Sequence, residues 1–268
     1  MLASLIRTGD TLFTQAHGEH VLVVTLNRPD AMNALNTRMG EELLQLWRDV
    51  FWAKPAPRCI VLTGSGTRAF CAGGDLKERK GMTDEAWRNQ HEIFEQAHFA
   101  LIDCPVPVIG AANGAAYGGG LETLLACDFI HAAATATFAL SEVKLGIMPG
   151  GGGTQNLPRA IGERRAKEMI FSARPLDAAK ALDWGLVNAV HAPDQLMPAV
   201  LELAEAIAGN GPLAVRQAKK SIHHGLQMSA ADAYQFEIAV YDRMIGSQDR
   251  HEGVLAFNEK RKPNFTGS

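Results

Sequence analysis

Apolar positions along the chain fall into two rhythms. Val21 to Leu26 (VLVVTL) is an unbroken apolar, β-branched run, which predicts a strand buried on both faces. Asn27 to Asp30 (NRPD) breaks it. From Thr37, the residues Met39, Leu43, Leu46, Trp47, Val50 and Phe51 recur at helical spacing, with Asn36 or Thr37 to cap the start and Pro55 and Pro57 to end the helix. Cys59 to Thr63 (CIVLT) predicts a second buried strand, and Val106 to Ala111, after Pro105, a third. Between these two strands Asp84 to Asp103 reads as a helix that places Trp87, His91, Phe94, His98 and Leu101 on one face. The two histidines on that face read as structural, because no third ligand sits at metal-binding spacing.

Strand, loop, helix and strand recur, which favours an α/β class. From Glu163 onward the pattern turns helical, with candidates at Glu163–Phe171, Asp177–Trp184 (closed by Gly185), Asp194–Ala208, Pro212–His224 and Ser229–Ile245. The division this suggests is an α/β core over residues 1–195, carrying the active site, and a helical C-terminal region over residues 196–268. No repeat of fixed period and no low-complexity tract interrupts it.

Composition narrows the function classes. Of 268 residues, 47% are hydrophobic and 21% charged, and the net charge is −3, so charge gives no sign of a nucleic-acid binder. The four cysteines, Cys59, Cys71, Cys104 and Cys127, form no CxxC pair and no zinc spacing. They read as buried free thiols, which suits a reducing compartment. Met1 to Asp10 lacks the apolar core of a signal peptide. No run approaches the roughly 18 apolar residues of a membrane span, so the expectation is a cytoplasmic protein with no membrane partner.

Glycine clusters at Gly73-Gly74, Gly118-Gly119-Gly120 and Gly150 to Gly153, each after an apolar run. Nucleotide-binding signatures fail there. Gly150 to Gly153 leads into Thr154-Gln155 without the lysine of a phosphate loop, and Gly118-x-Gly120 lacks the third glycine of a dinucleotide fingerprint. Gly64-Ser65-Gly66 is not a nucleophile elbow, because Thr63 stands where GxSxG needs glycine. Small residues around Gly73-Gly74 leave backbone amides accessible, and a helix starting near Gly119 begins with unsatisfied amides. Two such donors from different loops can form an oxyanion hole, at about 3 kcal/mol each in acyl chemistry. Glu122 falls in the first turn of that helix, and Glu142 follows the strand-like Thr135 to Leu140.

These segments resemble the enoyl-CoA hydratase/isomerase (crotonase) family over nearly the whole chain. The resemblance runs through Leu26-Asn27-Arg28-Pro29 to Asn33-Ala34-Leu35, Phe70-Cys71-Ala72-Gly73-Gly74-Asp75-Leu76, and Asn113-Gly114 with Gly118 to Glu122. It continues with Glu142 to Gly146, Pro149 to Gln155, and Glu252-Gly253, Ala256-Phe257 and Glu259-Lys260-Arg261. It implies a ClpP-like spiral of ββα units with a helical C-terminal trimerisation region, assembled as a homotrimer or a dimer of trimers. It also implies the amides of Gly74 and Gly119 as oxyanion donors, with glycine at 74 where many relatives carry alanine.

The family's two hydratase glutamates match Glu122 and Glu142, which implies reversible hydration of a 2-enoyl-CoA. Glu122 would activate water, Glu142 would protonate C2, and the roles would exchange for dehydration. Binding of the acyl-CoA substrate is implied for Arg28, Ala31, Ala72, Gly74, Asp75, Leu76, Lys77 and Gly119, with Phe257 and Lys260 reaching the nucleotide end. No metal and no separate cofactor are implied, since coenzyme A is part of the substrate. Asp75-Leu76-Lys77-Glu78-Arg79 is similar to the branch containing methylglutaconyl-CoA hydratase, some of which binds RNA through a lysine-rich helix. Here the matching helix carries only Arg38 and Arg48 as basic residues, so nucleic acid is not an expected partner. A Δ3-Δ2-enoyl-CoA isomerase and a non-catalytic CoA-binding scaffold are the alternatives.

Overall fold

The computed structural model describes residues 2–268; Met1, where the leader-peptide reading began, lies outside them. The chain opens with an antiparallel pair, β1 (Leu12–His17) and β2 (Val21–Leu26), followed by α1 (Thr37–Trp52), which Asn36 caps by accepting from the Met39 amide. A unit then recurs in which a strand of one sheet is followed by a short strand of a second sheet and a helix. Its first copy is β3 (Cys59–Gly64), β4 (Ala69–Cys71), α2 (Leu76–Arg79) and α3 (Asp84–Ile102). The second is β5 (Val108–Ala112), β6 (Ala115–Tyr117) and α4 (Gly119–Leu125). The third is β7 (Phe129–Ala133), β8 (Thr137–Ala139), a 3-10 turn at Glu142–Leu145 and α5 (Gly153–Ile161). Then come α6 (Glu163–Ser172), β9 (Leu176–Asp177), α7 (Ala178–Trp184), β10 (Ala189–His191) and the helices α8 (Leu196–Ala208), α9 (Pro212–Gly225), α10 (Ala230–Ile245) and α11 (Gln248–Asn258).

The large sheet runs β1-β2-β3-β5-β7-β10, parallel from β2 onward, and the small one runs β4-β6-β8-β9. Each ββα copy therefore advances one strand in both sheets, which is the spiral that the resemblance implied. Period-two alternation sorts the large sheet's side chains between two cores. Leu22, Val24, Leu26, Ile60 and Leu62 face the main core with α1, α4 and α5, while Val21, Cys59, Val61, Ile109 and Ala111 face Leu196, Val200, Ala204 and Ala208 of α8. Buried on both faces, these strands read as continuous apolar runs. Helix α8 thus seals one face of the large sheet. By contrast, α9 has no buried residue, and α10 and α11 keep most of their apolar side chains exposed.

The apolar runs correspond closely to elements. Pro107 delays the third strand, which spans Val108–Ala112 rather than Val106 to Ala111, and Thr135 to Leu140 shortens to Thr137–Ala139. The last six-residue stretch before the first turn, β1, and the helices α5 and α11 were not legible from periodicity. Helix α5 contains Pro158, and α11 is polar with Gly253 inside it. The four cysteines are free thiols; Cys59, Cys71 and Cys104 are fully buried and Cys127 partly so.

Two asparagines tie the turns between the sheets. Buried Asn33 donates to the carbonyls of Ser65 and Ala69 and accepts from the Arg28 amide. Asn113 accepts from the Gly64 amide and donates to the Gly66 and Ala69 carbonyls. They fix where β4 begins, and hence the loop after it. That loop meets α4 backbone against backbone: a Cβ on Gly120 would stand 2.1 Å from the Cys71 carbonyl oxygen. Gly120→Ala is therefore expected to lower the unfolding free energy by about 2–3 kcal/mol through overpacking that no side-chain rotation relieves. Urea denaturation measures this, and an unchanged midpoint would show that the crossing is looser than the structure has it.

Candidate active site

The glycine segments converge on one cavity of about 580 Å³. The β4–α2 loop brings Ala72, Gly73 and Gly74, the start of α4 brings Gly118, Gly119 and Glu122, and the turn after β8 brings Ser141 and Glu142. Helix α3 closes one side with Trp87, His91, Phe94 and His98, and Ile147, Met148, Gly150 and Gly151 close another. Gly73 has φ +93°, and a Cβ there would lie 2.8 Å from the Tyr117 carbonyl oxygen and 3.4 Å from the Gly119 nitrogen. Only glycine lets the two loops approach this closely. The carbonyl of Gly73 accepts from the Leu35 amide and the amide of Asp75 donates to the Leu35 carbonyl, so the loop is pinned on either side of Gly74. Among the described residues the amides of Gly74 and Gly119 donate to no protein group. Both line the cavity.

The two glutamates have opposite surroundings. Glu122 is 6% exposed, and its Oε1 accepts from the amides of Gly151 (2.7 Å) and Gly153 (2.8 Å). Burial raises its pKa, while the amides of Gly153 and Gly151 and the charge of His91 pull it back; the net shift is upward. Both oxygens of Glu142 are buried with no hydrogen-bond partner among the described residues. Burial pushes Glu142 up to about 7, its own backbone amide opposes this, and the neighbouring charge of Glu122 adds to the rise. Near neutral pH the pair can therefore hold one proton, and the geometry favours Glu142 for it, since two amides hold Glu122 whereas only its own backbone amide opposes the rise of Glu142.

Two histidines that read as structural also face this cavity. His98 is held neutral by burial, its pKa pushed down to about 4, with an unpartnered Nε2. His91 pairs with Glu95 at 3.1 Å. Among the described residues no group of three or more His, Cys, Asp or Glu side chains could hold a metal ion.

Of the residues assigned from sequence, Ala72, Gly74, Leu76, Gly119, Glu122 and Glu142 line the cavity. Arg28, Ala31, Asp75, Lys77, Phe257 and Lys260 do not belong to its wall. Arg28 and Asp75 hold each other at 2.8 Å, with Arg28 also donating to the Ala34 carbonyl, and Asp75 caps α2 through the amides of Lys77 and Glu78. Burial works against the charge of Asp75, but the Arg28 hydrogen bond and charge together with the capping amides hold its carboxyl below the usual range. This pair joins the loop after β2 to the loop carrying Gly74. Phe257 is 84% exposed near the end of α11, and Lys260 lies just beyond it. Sequence reasoning missed what Gly151 and Gly153 do: the run was visible as a glycine cluster, but its partner lies 29 and 31 residues away.

The Enoyl-CoA hydratase/isomerase family model matches residues 16–268. The crystal structure of an enoyl-CoA hydratase from Bacillus anthracis superposes with a TM-score of 0.95 at 42% identity, covering 97% of this chain and 100% of that one. A crotonyl-CoA hydratase of Syntrophomonas wolfei is 40% identical over 251 residues, 92% of this chain and 95% of that protein. The mitochondrial methylglutaconyl-CoA hydratase of Mus musculus is 38% identical over 272 residues, 99% of this chain and 86% of that protein. The chain belongs to the enoyl-CoA hydratase/isomerase family and has its crotonase fold.

The sign of the Glu142 shift sets a stability test. Its folded pKa of about 7 lies above the ordinary 4.5. As pH rises from 4.5 to 7, the unfolded chain loses this proton while the folded chain keeps it, so the group's contribution to stability falls through that window and levels above it. Glu142→Gln removes the ionisation at nearly constant shape. It is expected to be about 1–2 kcal/mol more stable than wild type at pH 8, allowing for solvent screening, with the gap closing towards pH 4.5. Denaturation at pH 5 and pH 8 decides this; a gap of equal size at both would exclude the shift.

Proposed function

We propose that this protein is an enoyl-CoA hydratase, a hydro-lyase that adds water reversibly across the C2–C3 double bond of a 2-enoyl-CoA to give a 3-hydroxyacyl-CoA. The observation that carries this reading is the pair of carboxyl groups on one cavity, Glu122 held by two amides and Glu142 by none, beside the free amides of Gly74 and Gly119. Ionised Glu122 takes a proton from water as the water attacks C3. Protonated Glu142 delivers a proton to C2. The negative charge that develops on the thioester oxygen meets the amides of Gly74 and Gly119, which need no reorganisation to receive it. Coenzyme A enters as part of the substrate, so no separate cofactor is required. An isomerase working with one carboxylate would leave the second, costly buried carboxyl without a task.

Hydration neither takes up nor releases a proton overall, so both directions use the singly protonated pair and share one pH profile. For crotonyl-CoA, followed by loss of enoyl-thioester absorbance, kcat/KM is expected to fall about tenfold per unit above pH 7, as Glu142 loses its proton. Glu122→Gln and Glu142→Gln should each lower it by about 10³-fold. Full activity in either variant would sink the two-carboxylate mechanism, and retained isomerisation of a 3-enoyl-CoA in one of them would favour the isomerase.

The helices of residues 196–268 beyond α8 support assembly as a homotrimer or dimer of trimers. Tyr234, Ile238, Tyr241 and Ile245 form a stripe at helical spacing along α10 and are about half to two-thirds exposed, an apolar face too continuous for a free surface. In such an assembly Phe257 and Lys260 would meet the coenzyme A of a neighbouring cleft. Sedimentation is expected to give three or six times the 28.9 kDa chain, and Tyr234→Glu with Ile238→Glu to lower it; a monomeric wild type would remove this reading. Four free thiols and the absence of any described helix long and apolar enough to cross a membrane support a cytoplasmic enzyme. The Syntrophomonas and mouse relatives are named for different acyl groups, so the acyl group here must be read from the cavity itself.

A further inference from the structure

The cavity wall carries a cation that the two-carboxylate chemistry does not use. Arg79 ends α2 and lines the cavity half-buried. Its guanidinium lies over the Trp87 ring, 4.2 Å from the centroid, and its Nε donates to Gln90 Oε1 at 2.8 Å. Gln90 is 3% exposed and is itself held by Thr37 and Glu78. The group is thus locked on one face by an aromatic ring and on one edge by a buried amide. Its two terminal nitrogens bond to no described protein group, and no described carboxylate lies within ion-pair distance of it.

The acidic neighbours are engaged elsewhere. Glu78 accepts from the Thr37 amide and from Gln90, Glu95 pairs with His91, and Glu122 is taken by Gly151 and Gly153. Glu142 is the remaining cavity carboxyl, and its oxygens contact no donor. A half-buried, pre-positioned guanidinium that feels the charge of Glu78 but has no carboxylate in contact is costly when an apolar ligand removes its remaining water, and favourable when a carboxylate arrives to pair with its two free edges. Arg79 also sits against the loop of Gly74, where an added Cβ would lie 3.2 Å from its Cζ and Nη1. That places the positive charge close to where the thioester would bind, within reach of the far end of a short acyl chain.

We propose that Arg79 selects short acyl groups carrying a carboxylate of their own, pairing with that carboxylate while the thioester oxygen meets Gly74 and Gly119. This rests on the acyl-CoA reading of the cavity and deepens it: the substrate class is a dicarboxylic enoyl-CoA rather than a long or purely apolar one. Stacking on Trp87 and the bond to Gln90 lower the entropy lost on pairing, because the side chain is already held.

Binding of two saturated, unreactive probes separates the acyl carboxylate from the phosphates of coenzyme A, which both probes share. Titration calorimetry of the full chain with glutaryl-CoA and butyryl-CoA is expected to show glutaryl-CoA bound about 30-fold tighter or more, the scale of a charge-assisted pair. Arg79→Met should shrink that ratio to within about threefold, and Arg79→Lys, which keeps the charge but not the fork, should retain part of it. A wild-type ratio near one, or a ratio that survives Arg79→Met, would overturn the assignment. Should Arg79→Met not fold, the wild-type ratio and its reduction in Arg79→Lys carry the test. Hydration of glutaconyl-CoA against crotonyl-CoA then separates the two readings. An Arg79-dependent binding preference with neither enoyl-CoA hydrated would remove the hydratase and keep Arg79's role; hydration of both with no preference for the carboxylate would do the reverse.

Discussion

Two stretches of backbone cross where β4 runs out and α4 begins, and the crossing leaves no room for side chains. Gly120 rests on the Cys71 carbonyl, and Gly73, at φ +93°, rests on the Tyr117 carbonyl beside the Gly119 nitrogen. One backbone comes from the small sheet's first strand and the other from its second, so the contact exists only because the spiral places these strands side by side. The rest of the cavity follows. With the crossing closed, Gly74 and Gly119 stand on one wall and Glu122 is carried one turn into α4, facing the Gly151–Gly153 turn. A single Cβ at either crossing glycine would separate the loops, and with them the pieces of the site. The asparagine clamps at Asn33 and Asn113 and the Arg28–Asp75 pair support the same approach by fixing the flanking loops.

The sequence displayed the parts of this fold whose information is local. Strands buried on both faces need unbroken apolar runs, and VLVVTL and CIVLT supply them; helices with one buried stripe need a 3.6-residue rhythm, and α1 and α3 have it. The small sheet was far less visible. Its strands are two or three residues long and rich in alanine, as in Ala115–Tyr117, and carry little propensity of their own. They are strands because neighbouring turns of the spiral offer them partners. Helix α5 was hidden for a related reason: with Pro158 inside it, it depends on Leu157 and Ile161 packing into the main core.

The site divides in the same way. Gly74, Gly119, Glu122 and Glu142 could be singled out because motifs in a family's order carried them. Arg28 was assigned to the cleft from a family motif, and what the motif does not display is that its guanidinium also ties Asp75 and the Ala34 carbonyl together. Arg79 shows the opposite case. Within Asp75 to Arg79 it was assigned no role, and nothing local reveals that α3 would put Trp87 beneath it and Gln90 at its edge. Long-range packing, rather than residue type, decides which of two arginines is a clamp and which is left with free donors.

Packing also makes the two glutamates unequal. Both are carboxyls buried against low-dielectric surroundings, which raises the pKa of each. The difference is the glycine turn between Pro149 and Thr154. Gly151 and Gly153 aim two amides at one oxygen of Glu122, and no side chain intervenes, since a Cβ on either glycine would lie 2.9 Å from a Glu122 carboxyl oxygen. Glu142 lies on a 3-10 turn where only its own backbone amide pulls on the carboxyl, and neither oxygen has a hydrogen-bond partner among the described residues. Once Glu122 carries charge, that charge raises Glu142 further, so the asymmetry reinforces itself. The asymmetry is therefore not a property of the two glutamates themselves. One turn satisfies the first and leaves the second without matching donors, which biases the resting proton towards Glu142, while turnover in the dehydration direction would start with it on Glu122.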